Sequence, residues 1–410
     1  MQDTTLYQQI LGLQEPWFVS HVELNVAEGR VDIYVDHRKQ MTWTCPKCGK
    51  VVGLYDHAEE RSWRHLDSCQ FKTYLHARVP RVGCPADGIL NAKLPWGERG
   101  SRFTMLMERL IIDVLQQSYT ITAACRLLRI SWDEAYGVMT RSVRRGLARR
   151  DPDYLPKYIT VDEKSIRPGR QFVTLMCDLE RAAVMEVAEG HDAAALRELY
   201  GRLSQKQRES IQAVAMDMSS PYALATCECI PEGQNKIVLD RFHIMRMAND
   251  ALNRVRQQEY GRAGAQKRRQ LKDTKQLWLW AQENLPLRYH DRLAELRGLD
   301  LETSRAWAMK ENLRRFWEMP SSELAQRHLG EWLSWTRRSR IKPMVQLAKV
   351  LAAKMKHILN YATHRITSGV AEGINSKVQS VKRKAAGYRN TWNFMQAIMF
   401  YCGKLDLYPR

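Results

Sequence analysis

Three acidic residues stand in contexts that suit one metal-dependent active site. Asp162 ends the apolar run 158–161, Asp217 ends the largely apolar run 211–216, and Glu372 lies near the start of a helical pattern. Two aspartates at strand ends and a glutamate on a helix can converge, and their oxygens are the ligands that hard divalent cations prefer. A pair of such cations can activate a water or a 3′-hydroxyl for attack on a phosphodiester.

The charge of the chain indicates which phosphodiester is attacked. Lysine and arginine number 64 against 45 aspartate and glutamate, which gives a net charge of +19 and a pI near 9.6. Such an excess favours a polyanionic partner, and nucleic acid, including double-stranded DNA, is the class that we expect. No apolar run approaches the roughly 18 residues that span a bilayer, so we expect no membrane partner. The polar N-terminus and the nine unevenly spaced cysteines predict a cytoplasmic protein with reduced thiols. A nucleic-acid partner would make the protein nucleoid-associated.

The elements around the acids predict an α/β protein. Strand-like segments at 157–162, 171–178, 182–188, 211–216 and 236–240, with a helical run at 192–209, suit a central sheet covered by helices. Residues 243–365 have an almost wholly helical pattern and contain six of the twelve tryptophans, which indicates a helical insertion before the final helix. The predicted domains are 1–100, 101–150, 151–242, 243–365 and 366–410.

The helix that carries Glu372 also presents other polar side chains. Its apolar stripe runs along one side, so Glu372 and Asn375 fall on a different face. Basic residues that follow are expected to lie along the path of the DNA: Lys377, Lys382, Arg383, Lys384 and Arg389. Trp332 and Trp335, which neighbour several arginines, are the tryptophans that best suit stacking on DNA bases, with packing in a helical core as the alternative.

A metal knuckle stands in the β-rich segment before these elements. Cys45 and Cys48 form a Cys-x-x-Cys turn followed by glycine, and Cys84 begins a similar turn that has Asp87 at its fourth position. Two such turns can hold one tetrahedral Zn²⁺ ion. Asp87 is the expected fourth ligand, with Cys69 and His65 as the alternatives. The cysteines could otherwise be core residues, and Asp87 an ordinary turn residue.

A helix-turn-helix is predicted next. A short helix over 118–128 is followed by a turn at 129–131 and by a second helix with Ser131 as its N-cap. The second helix carries Arg141, Arg144 and Arg145, which could hold phosphates of DNA. The alternative is a three-helix bundle between domains with a solvated arginine face.

Several short motifs carry a resemblance to a known family. Val161–Ser165, Ala215–Ser219, the Asp-x-x-His motif of Asp240 and His243, Ala371–Asn375 and Lys382–Asn390 resemble the insertion-sequence transposases of the ISL-three family. Trp63–Asp67, between the cysteine pairs, resembles them as well. The likeness covers nearly the whole chain in order. One departure is Asp87, which stands where the family pattern has cysteine or histidine.

The resemblance implies a DDE transposase with a ribonuclease-H-like catalytic core interrupted by an all-α insertion. Asp162, Asp217 and Glu372 would be its catalytic residues and its ligands for Mg²⁺ or Mn²⁺, with Asp240, His243 and Asn375 near the active site. The zinc-binding and helix-turn-helix domains would bind terminal inverted repeats, and target DNA would be the second DNA partner. Cleavage at two ends implies a homodimer or a higher oligomer on DNA. The competing functions are a ribonuclease-H-fold nuclease that joins no strands and a non-enzymatic DNA-binding regulator.

Overall fold

The computed structural model describes residues 3–39, 41–167, 171–366 and 369–410, and the chain divides into two compact units. Unit 1 contains the chain up to Arg150 together with Arg383–Ala386 and Leu405–Arg410, and unit 2 contains Asp151–Lys382 and Gly387–Lys404. The segment 366–410 thus contributes to both units, whereas we had assigned it wholly to the catalytic core. The predicted boundaries at 100, 242 and 365 stay predictions. Thr367 and Ser368, which we placed at the start of the Glu372 helix, lie outside the described residues.

Unit 1 begins with a short helix, α1 (Asp3–Ile10), and a six-stranded sheet. Its strands are β1 (Trp17–Asn25), β2 (Arg30–His37), β3 (Trp43–Thr44), β4 (Val51–Arg64), β5 (Lys72–Cys84) and β6 (Gly88–Asn91). The order is β1-β2-β5-β4-β3, and β6 pairs with β5. Burial alternates along β2 and β5, because alternate side chains of a strand point to opposite faces. Ile33 and Leu75 are among the fully buried residues of the resulting core.

Three helices complete the N-terminal part of unit 1: α2 (Met105–Gln117), α3 (Ile121–Leu128) and α4 (Trp132–Ala148). Thr120 caps α3, and Arg129 ends it in the left-handed conformation with a φ of 55°. Ser131 caps α4 in a reciprocal capping box with Glu134, which satisfies two backbone N–H groups that the helix leaves unpaired. The predicted helix, turn and second helix, including the N-cap, are confirmed.

Unit 2 contains a five-stranded mixed sheet. Its strands are β7 (Tyr158–Arg167), β8 (Gln171–Asp178), β9 (Ala183–Glu189), β10 (Ala213–Met216) and β11 (Ile237–Leu239), in the order β11-β10-β7-β8-β9. β10 pairs in parallel with β7 and β11, whereas β8 is antiparallel to β7 and β9. The helices between these strands are α5 (Ala193–Gly201), α6 (Gln205–Ser210), α7 (Ser220–Cys229) and α8 (Gly233–Lys236). The predicted mixed α/β architecture is confirmed, with a sheet in each unit.

After β11, all elements in the described part of the chain are helical. They are α9 (Arg241–Arg262), α10 (Ala265–Leu271), α11 (Lys275–Leu279), α12 (His290–Gly298), α13 (Glu302–Arg314), α14 (Ser322–Arg338), α15 (Lys342–Ala353), α16 (Met355–His364), α17 (Gly369–Lys384) and α18 (Thr391–Cys402), with three short 3₁₀ helices at Gln282–Asn284, Leu287–Tyr289 and Arg315–Glu318. None of the helices described is both long enough and apolar enough to cross a membrane.

One apolar core runs through the sheet and the helices of unit 2. It includes Val161 of β7, Tyr200 of α5, Leu252 of α9, Trp278 of α11 and Trp332 of α14, all almost completely buried. The same packed core contains residues of β10, of β11 and of the N-terminal half of α9. It therefore fixes the position of the start of α9 relative to the carboxyl ends of these strands.

Candidate active site and metal centre

Three aspartates occupy matching positions in three neighbouring strands or directly after them. β10 pairs with β7 on one side and with β11 on the other. When both registers are continued past the last paired residues, Asp217 falls beside Asp162 and beside Asp240. Parallel strands lie about 4.8 Å apart, and residues at matching positions point to the same face. The sheet therefore gathers the three carboxylates along one line.

The position of Asp162 in its strand differs from the predicted one. We placed it just past a strand end, but it lies within β7, which continues to Arg167 because β8 pairs with it over that length. The parallel pairing with β10 covers only 158–160 of β7. Asp162 is accessible because β10 is short, whereas Asp217 does directly follow its strand, as predicted.

Three hydrogen-bond donors hold the Asp162 carboxylate. Its Oδ2 accepts hydrogen bonds from Lys164 Nζ and from Asn375 Nδ2, both at 2.7 Å. Its Oδ1 accepts one from the backbone N–H of Glu163 at 2.8 Å. The Asn375 contact attaches α17 to β7, and Glu372 lies one helical turn earlier on α17. Asp162 and Glu372 are 210 residues apart in sequence, and this contact brings their elements to one place.

Asp217 is held at the start of a helix. Its Oδ1 accepts a hydrogen bond of 2.9 Å from the backbone N–H of Ser219, and Ser219 is the N-cap of α7. Pro221 occupies the first turn of α7, where a missing N–H costs nothing.

Asp240 and His243 form a hydrogen-bonded pair at the start of α9. The Asp240 side chain caps α9 by accepting from Phe242 N at 2.9 Å, and its Oδ2 lies 3.1 Å from His243 Nδ1. This hydrogen bond is the largest cause that raises the pKa of His243, and the negative charges of Asp240 and Asp217 raise it further. Both residues also line the cavity described next.

The predicted acids share one cavity of about 700 Å³. Its lining includes all the predicted residues of this region, namely Asp162, Asp217, Asp240, His243, Glu372 and Asn375. Glu163 and Arg246 line it too, and our sequence analysis missed both. Partial burial, together with the charges of Asp217 and Asp162, raises the pKa of Glu163. Glu163 could have been predicted only if the sequence had shown that the strand continues past Asp162. The apolar run ends at Val161, so the sequence gives no such signal.

The oxygen ligands of this cavity suit Mg²⁺ or Mn²⁺. In the described part of the chain, the thiol-containing group of unit 1 is the only set of three or more His, Cys, Asp or Glu side chains close enough to share one ion. Asp162, Asp217 and Glu372 line the cavity, but their carboxylate oxygens do not converge on the position of a single ion. Two ions about 3.5–4 Å apart do not require all three carboxylates to meet at one ion, because each ion can bind a different pair of carboxylates.

The cluster in unit 1 comprises the four predicted zinc ligands Cys45, Cys48, Cys84 and Asp87, whose ligand atoms all lie within 4.8 Å of one another. Asp87 Oδ2 is 3.5 Å from Cys45 Sγ and 3.6 Å from Cys84 Sγ, and Cys48 Sγ is 3.6 Å from Cys84 Sγ. Tetrahedral Zn–S bonds of about 2.3 Å and a Zn–O bond of about 2.1 Å separate neighbouring ligand atoms by about 3.5–3.8 Å. The cluster therefore fits Zn²⁺.

Asp87 is the fourth member of this cluster, and the two alternatives lie elsewhere. His65 is buried and its Nδ1 is 2.9 Å from Thr104 Oγ1, whereas Cys69 is exposed. Asp87 Oδ1 is 2.9 Å from Lys47 Nζ. The hydrogen bond from Lys47 is the largest cause that lowers the pKa of Asp87 to about 2, so the carboxylate stays ionised.

Two of the arginines predicted to contact DNA are ion-paired within unit 1. Arg141 and Arg145 both contact the carboxylate of Glu108, which is 1% exposed, and Arg145 also contacts Glu98 at 2.5 Å. The side chain of Arg145 is only 8% exposed. A buried carboxylate requires cationic partners, so both arginines have a structural role that sequence periodicity did not reveal. Arg144 is exposed, and its contact with DNA stays a prediction.

Two of the lysines on α17 also have structural contacts. Lys382 Nζ donates to the carbonyl of Ser165 at 3.0 Å, and Lys384 Nζ donates to carbonyls at the C-terminal end of α2, including Ser118 at 2.7 Å. Lysine at a helix C-terminus satisfies carbonyls that have no partner in the helix. Lys377, Arg383 and Arg389 are exposed, and they stay candidates for contact with DNA.

The two tryptophans proposed for stacking on DNA differ in burial. Trp332 is 1% exposed and its Nε1 donates to the carbonyl of Met309 at 2.8 Å. Its prediction as a stacking residue is wrong, because the ring packs in the apolar core of unit 2. Trp335, three residues later and on the outer side of α14, is 40% exposed and stays a candidate.

Three family models match the chain in consecutive segments. A transposase model, DDE_Tnp_ISL3, matches residues 159–398 and so covers every predicted member of the acidic cavity. A model described as the zinc-finger of the transposases of IS204, IS1001, IS1096 and IS1165 matches residues 41–87, which contain the four ligands of the cluster. A model of the helix-turn-helix domain of transposase family ISL3 matches residues 92–143.

Similar full-length proteins have the same kind of name. The transposase for insertion sequence element IS1557 from two strains of Mycobacterium tuberculosis, CDC 1551 and H37Rv, is 26% identical, with 95% of this chain and 93% of the relative covered. The transposase for insertion sequence element IS1001 from Bordetella parapertussis is 25% identical, with 97% of this chain and 98% of the relative covered.

Proposed function

This chain belongs to the ISL3 family of transposases, and from that premise we propose that it binds the ends of an insertion sequence, cleaves the DNA strands there and joins them to target DNA. The observation that carries the proposal is the line of Asp162 and Asp217 across two parallel strands, in one cavity with Glu372. Hydrolysis and strand joining use the same type of attack on phosphorus, so one set of carboxylates can serve both steps.

In this proposal Asp162, Asp217 and Glu372 are the catalytic carboxylates and the ligands of two Mg²⁺ or Mn²⁺ ions. When bound, the ions would lower the pKa of the attacking water or 3′-hydroxyl and would neutralise charge that develops on the phosphoryl oxygens. Asn375 orients Asp162 by donating a hydrogen bond to its Oδ2. The Ser219 N–H does the same for Asp217.

His243 is proposed to act on phosphate rather than on a metal. Its Nδ1 faces Asp240, which favours the protonated ring through the raised pKa. A protonated imidazole in the cavity would attract a DNA phosphate. Arg246, one turn later on α9, lines the same cavity and would add a second positive charge.

Unit 1 is proposed to recognise the DNA. Zn²⁺ held by Cys45, Cys48, Cys84 and Asp87 would stabilise the turns of the N-terminal sheet, and α3 with α4 would contact the terminal inverted repeats as a helix-turn-helix. The five-stranded sheet of unit 2 is proposed to be a ribonuclease-H-like core, with the helices over 243–365 as its insertion. Paired cleavage at two ends requires at least a homodimer on DNA.

A strand-transfer assay with full-length protein tests this function. DNA from both flanks of the coding sequence serves as the end substrate, with a plasmid target and Mg²⁺ or Mn²⁺. We expect Asp162→Asn, Asp217→Asn and Glu372→Gln to abolish cleavage and joining while they leave DNA binding intact. Glu209→Gln, which removes an exposed carboxylate on α6, is the matched control and should behave as wild type.

Each other result has a defined meaning. Wild-type activity in any of the three variants would remove that residue from the catalytic set. Cleavage by the wild-type protein without joining would favour a nuclease. Sequence-specific binding of the flanks without cleavage would favour a non-enzymatic regulator.

A further inference from the structure

The helices of unit 2 have one strongly basic end, which lies away from the acidic cavity. Three contacts bring separate helices together there. Glu259 of α9 accepts hydrogen bonds from the N–H and hydroxyl groups of Thr303 at 2.9 and 2.7 Å and so caps the start of α13. Lys267 Nζ donates to the carbonyl of Asp300 at 2.9 Å. Arg305 donates to the carbonyl of Ser339, just after α14, at 3.4 Å.

The side chains exposed at this end are predominantly cationic. We define the basic end by its exposed lysines and arginines, which are Arg262, Lys267, Arg268, Arg269, Lys272, Arg305, Arg337, Arg338, Arg340 and Lys342. The exposed carboxylates in the same segments are Asp273, Asp300 and Glu302, together with Glu295, which pairs with Arg292 beside Gln270. As far as the chain is described, Lys267 is the only one of these cations with a carboxylate oxygen within 4.0 Å, at 3.8 Å from Glu259.

A helix N-terminus adds to the positive potential. The twelve-residue helix α15 starts at Lys342, within the basic end, and has no acidic residue in its first turn. Its N-cap residue, Ile341, makes no side-chain hydrogen bond to the first turn. The N–H groups of that turn and the positive end of the helix dipole therefore reinforce the charge of the surrounding side chains.

The basic end stands at a defined distance from the acidic cavity. Asp240 caps the N-terminus of α9 in the cavity, and α9 runs for 22 residues to Arg262 in the basic end. At 1.5 Å per residue its length is about 33 Å. One turn of duplex DNA is about 34–36 Å long. A duplex that enters the cavity can therefore present its backbone to the basic end one turn away.

We propose that the basic end is a second contact for double-stranded DNA, which binds backbone phosphates about one helical turn from the phosphate held in the cavity. This inference rests on the proposed function, because it takes the cavity as the place where DNA is cleaved. Arginine side chains without carboxylate partners suit phosphate oxygens. Such contacts carry no sequence information, and they position the duplex.

The salt dependence of DNA binding tests the proposal without requiring catalysis. Binding of a 30-base-pair duplex of random sequence, on the order of three helical turns, is measured by fluorescence anisotropy across a range of KCl concentrations without Mg²⁺. The test variant is Arg269→Gln with Arg337→Gln, which removes two exposed cations from different helices of the basic end. The control is Lys157→Gln with Lys206→Gln, which removes two exposed cations near the amino ends of β7 and β10.

Each phosphate contact contributes about 0.9 to the slope of log Kobs against log salt. We expect the test variant to have a slope less steep by about 1.8, and the control to have the slope of the wild-type protein. An unchanged slope in the test variant overturns the proposal. A changed oligomeric state in size-exclusion chromatography, with the slope unchanged, would assign the surface to a second copy of the chain and would overturn it as well.

The same measurement on Asp162→Asn separates this inference from the proposed function. That variant should keep the wild-type slope and lose strand cleavage. A wild-type protein that cleaves no DNA would remove the proposed function, while the two slopes would still decide whether duplex DNA contacts the basic end.

Discussion

Lys164 is positioned to oppose metal binding at Asp162. Its Nζ lies 2.7 Å from Asp162 Oδ2, and the two side chains are only 15% and 26% exposed. A divalent cation bound to the same oxygen would be roughly 4.5 Å from the ammonium group. At an effective dielectric constant near 20, the repulsion would be about 7 kcal/mol. The lysine side chain should therefore move away when a metal ion binds.

The free energy needed to separate Lys164 from Asp162 determines how much the lysine weakens metal binding. Separating a partly buried, charge-assisted pair costs on the order of 1–2 kcal/mol, far less than the repulsion. Lys164→Met removes the pair beforehand, so we expect Mn²⁺ to bind about tenfold more tightly, since about 1.4 kcal/mol is a factor of ten. Lys382→Met is the matched control, because Lys382 bonds to the Ser165 carbonyl rather than to Asp162.

Isothermal titration with Mn²⁺ measures the affinities of the wild-type protein and both variants directly. Lys164→Met should bind more tightly than wild type, and Lys382→Met should not. Equal affinities for the two variants would refute the view that Lys164 competes with the metal ion. Weaker binding by Lys164→Met would indicate that the lysine supports the site.

Three further predictions concern the zinc cluster, a buried histidine and the two tryptophans. Asp87→Ala should release zinc whereas Asp87→Cys should retain it more tightly, because thiolate is the commoner ligand in structural sites; competition with a chromogenic chelator measures both. Burial, with a smaller contribution from Arg64, lowers the pKa of His65 to about 4, so the unfolded chain binds a proton more readily. Stability is then fully present above about pH 6.5 and falls by roughly 3 kcal/mol as the pH drops to 4. Urea titrations should show that His65→Gln loses less stability than the wild-type protein as the pH falls. An equal loss of stability would contradict the assignment of this pH dependence to His65. Trp332→Ala should lower the free energy of unfolding by about 3–5 kcal/mol in the same titrations, and Trp335→Ala by less than about 1; similar losses would contradict the difference in burial.

The strands of unit 2 and the second helix of the helix-turn-helix were predictable because their signals are local. An apolar run before Asp217 and an N-cap at Ser131 with Glu134 three residues later depend on neighbours in sequence. The zinc cluster was predictable for the same reason, since each half of it is a short turn. The spacing of the second turn favoured Asp87 as the fourth ligand but left Cys69 and His65 open, and the distances between ligand atoms then excluded both.

The roles of charged and aromatic residues were less predictable because they depend on distant partners. Arg141 has the same spacing as a residue facing DNA, yet Glu108 of another helix binds it. Trp332 and Trp335 lie one turn apart on α14, yet only Trp332 is buried in the core, where its Nε1 donates to a carbonyl of α13.

The sequence by itself determined the types and order of the functional groups: a cysteine-rich metal cluster, a helix-turn-helix, and three acids separated by a helical segment. Tertiary structure alone decided that Asp162 lies within a long strand, that Asp217 and Asp240 align with it, and that Asn375 and Lys164 hold it. It also separated Arg141 and Arg145, which pair with the buried Glu108, from the cations of the basic end, most of which have no carboxylate partner among the described residues. The reason is physical, since strand register and burial arise from contacts between residues far apart in the chain, whereas sequence periodicity reports only which residues share a face.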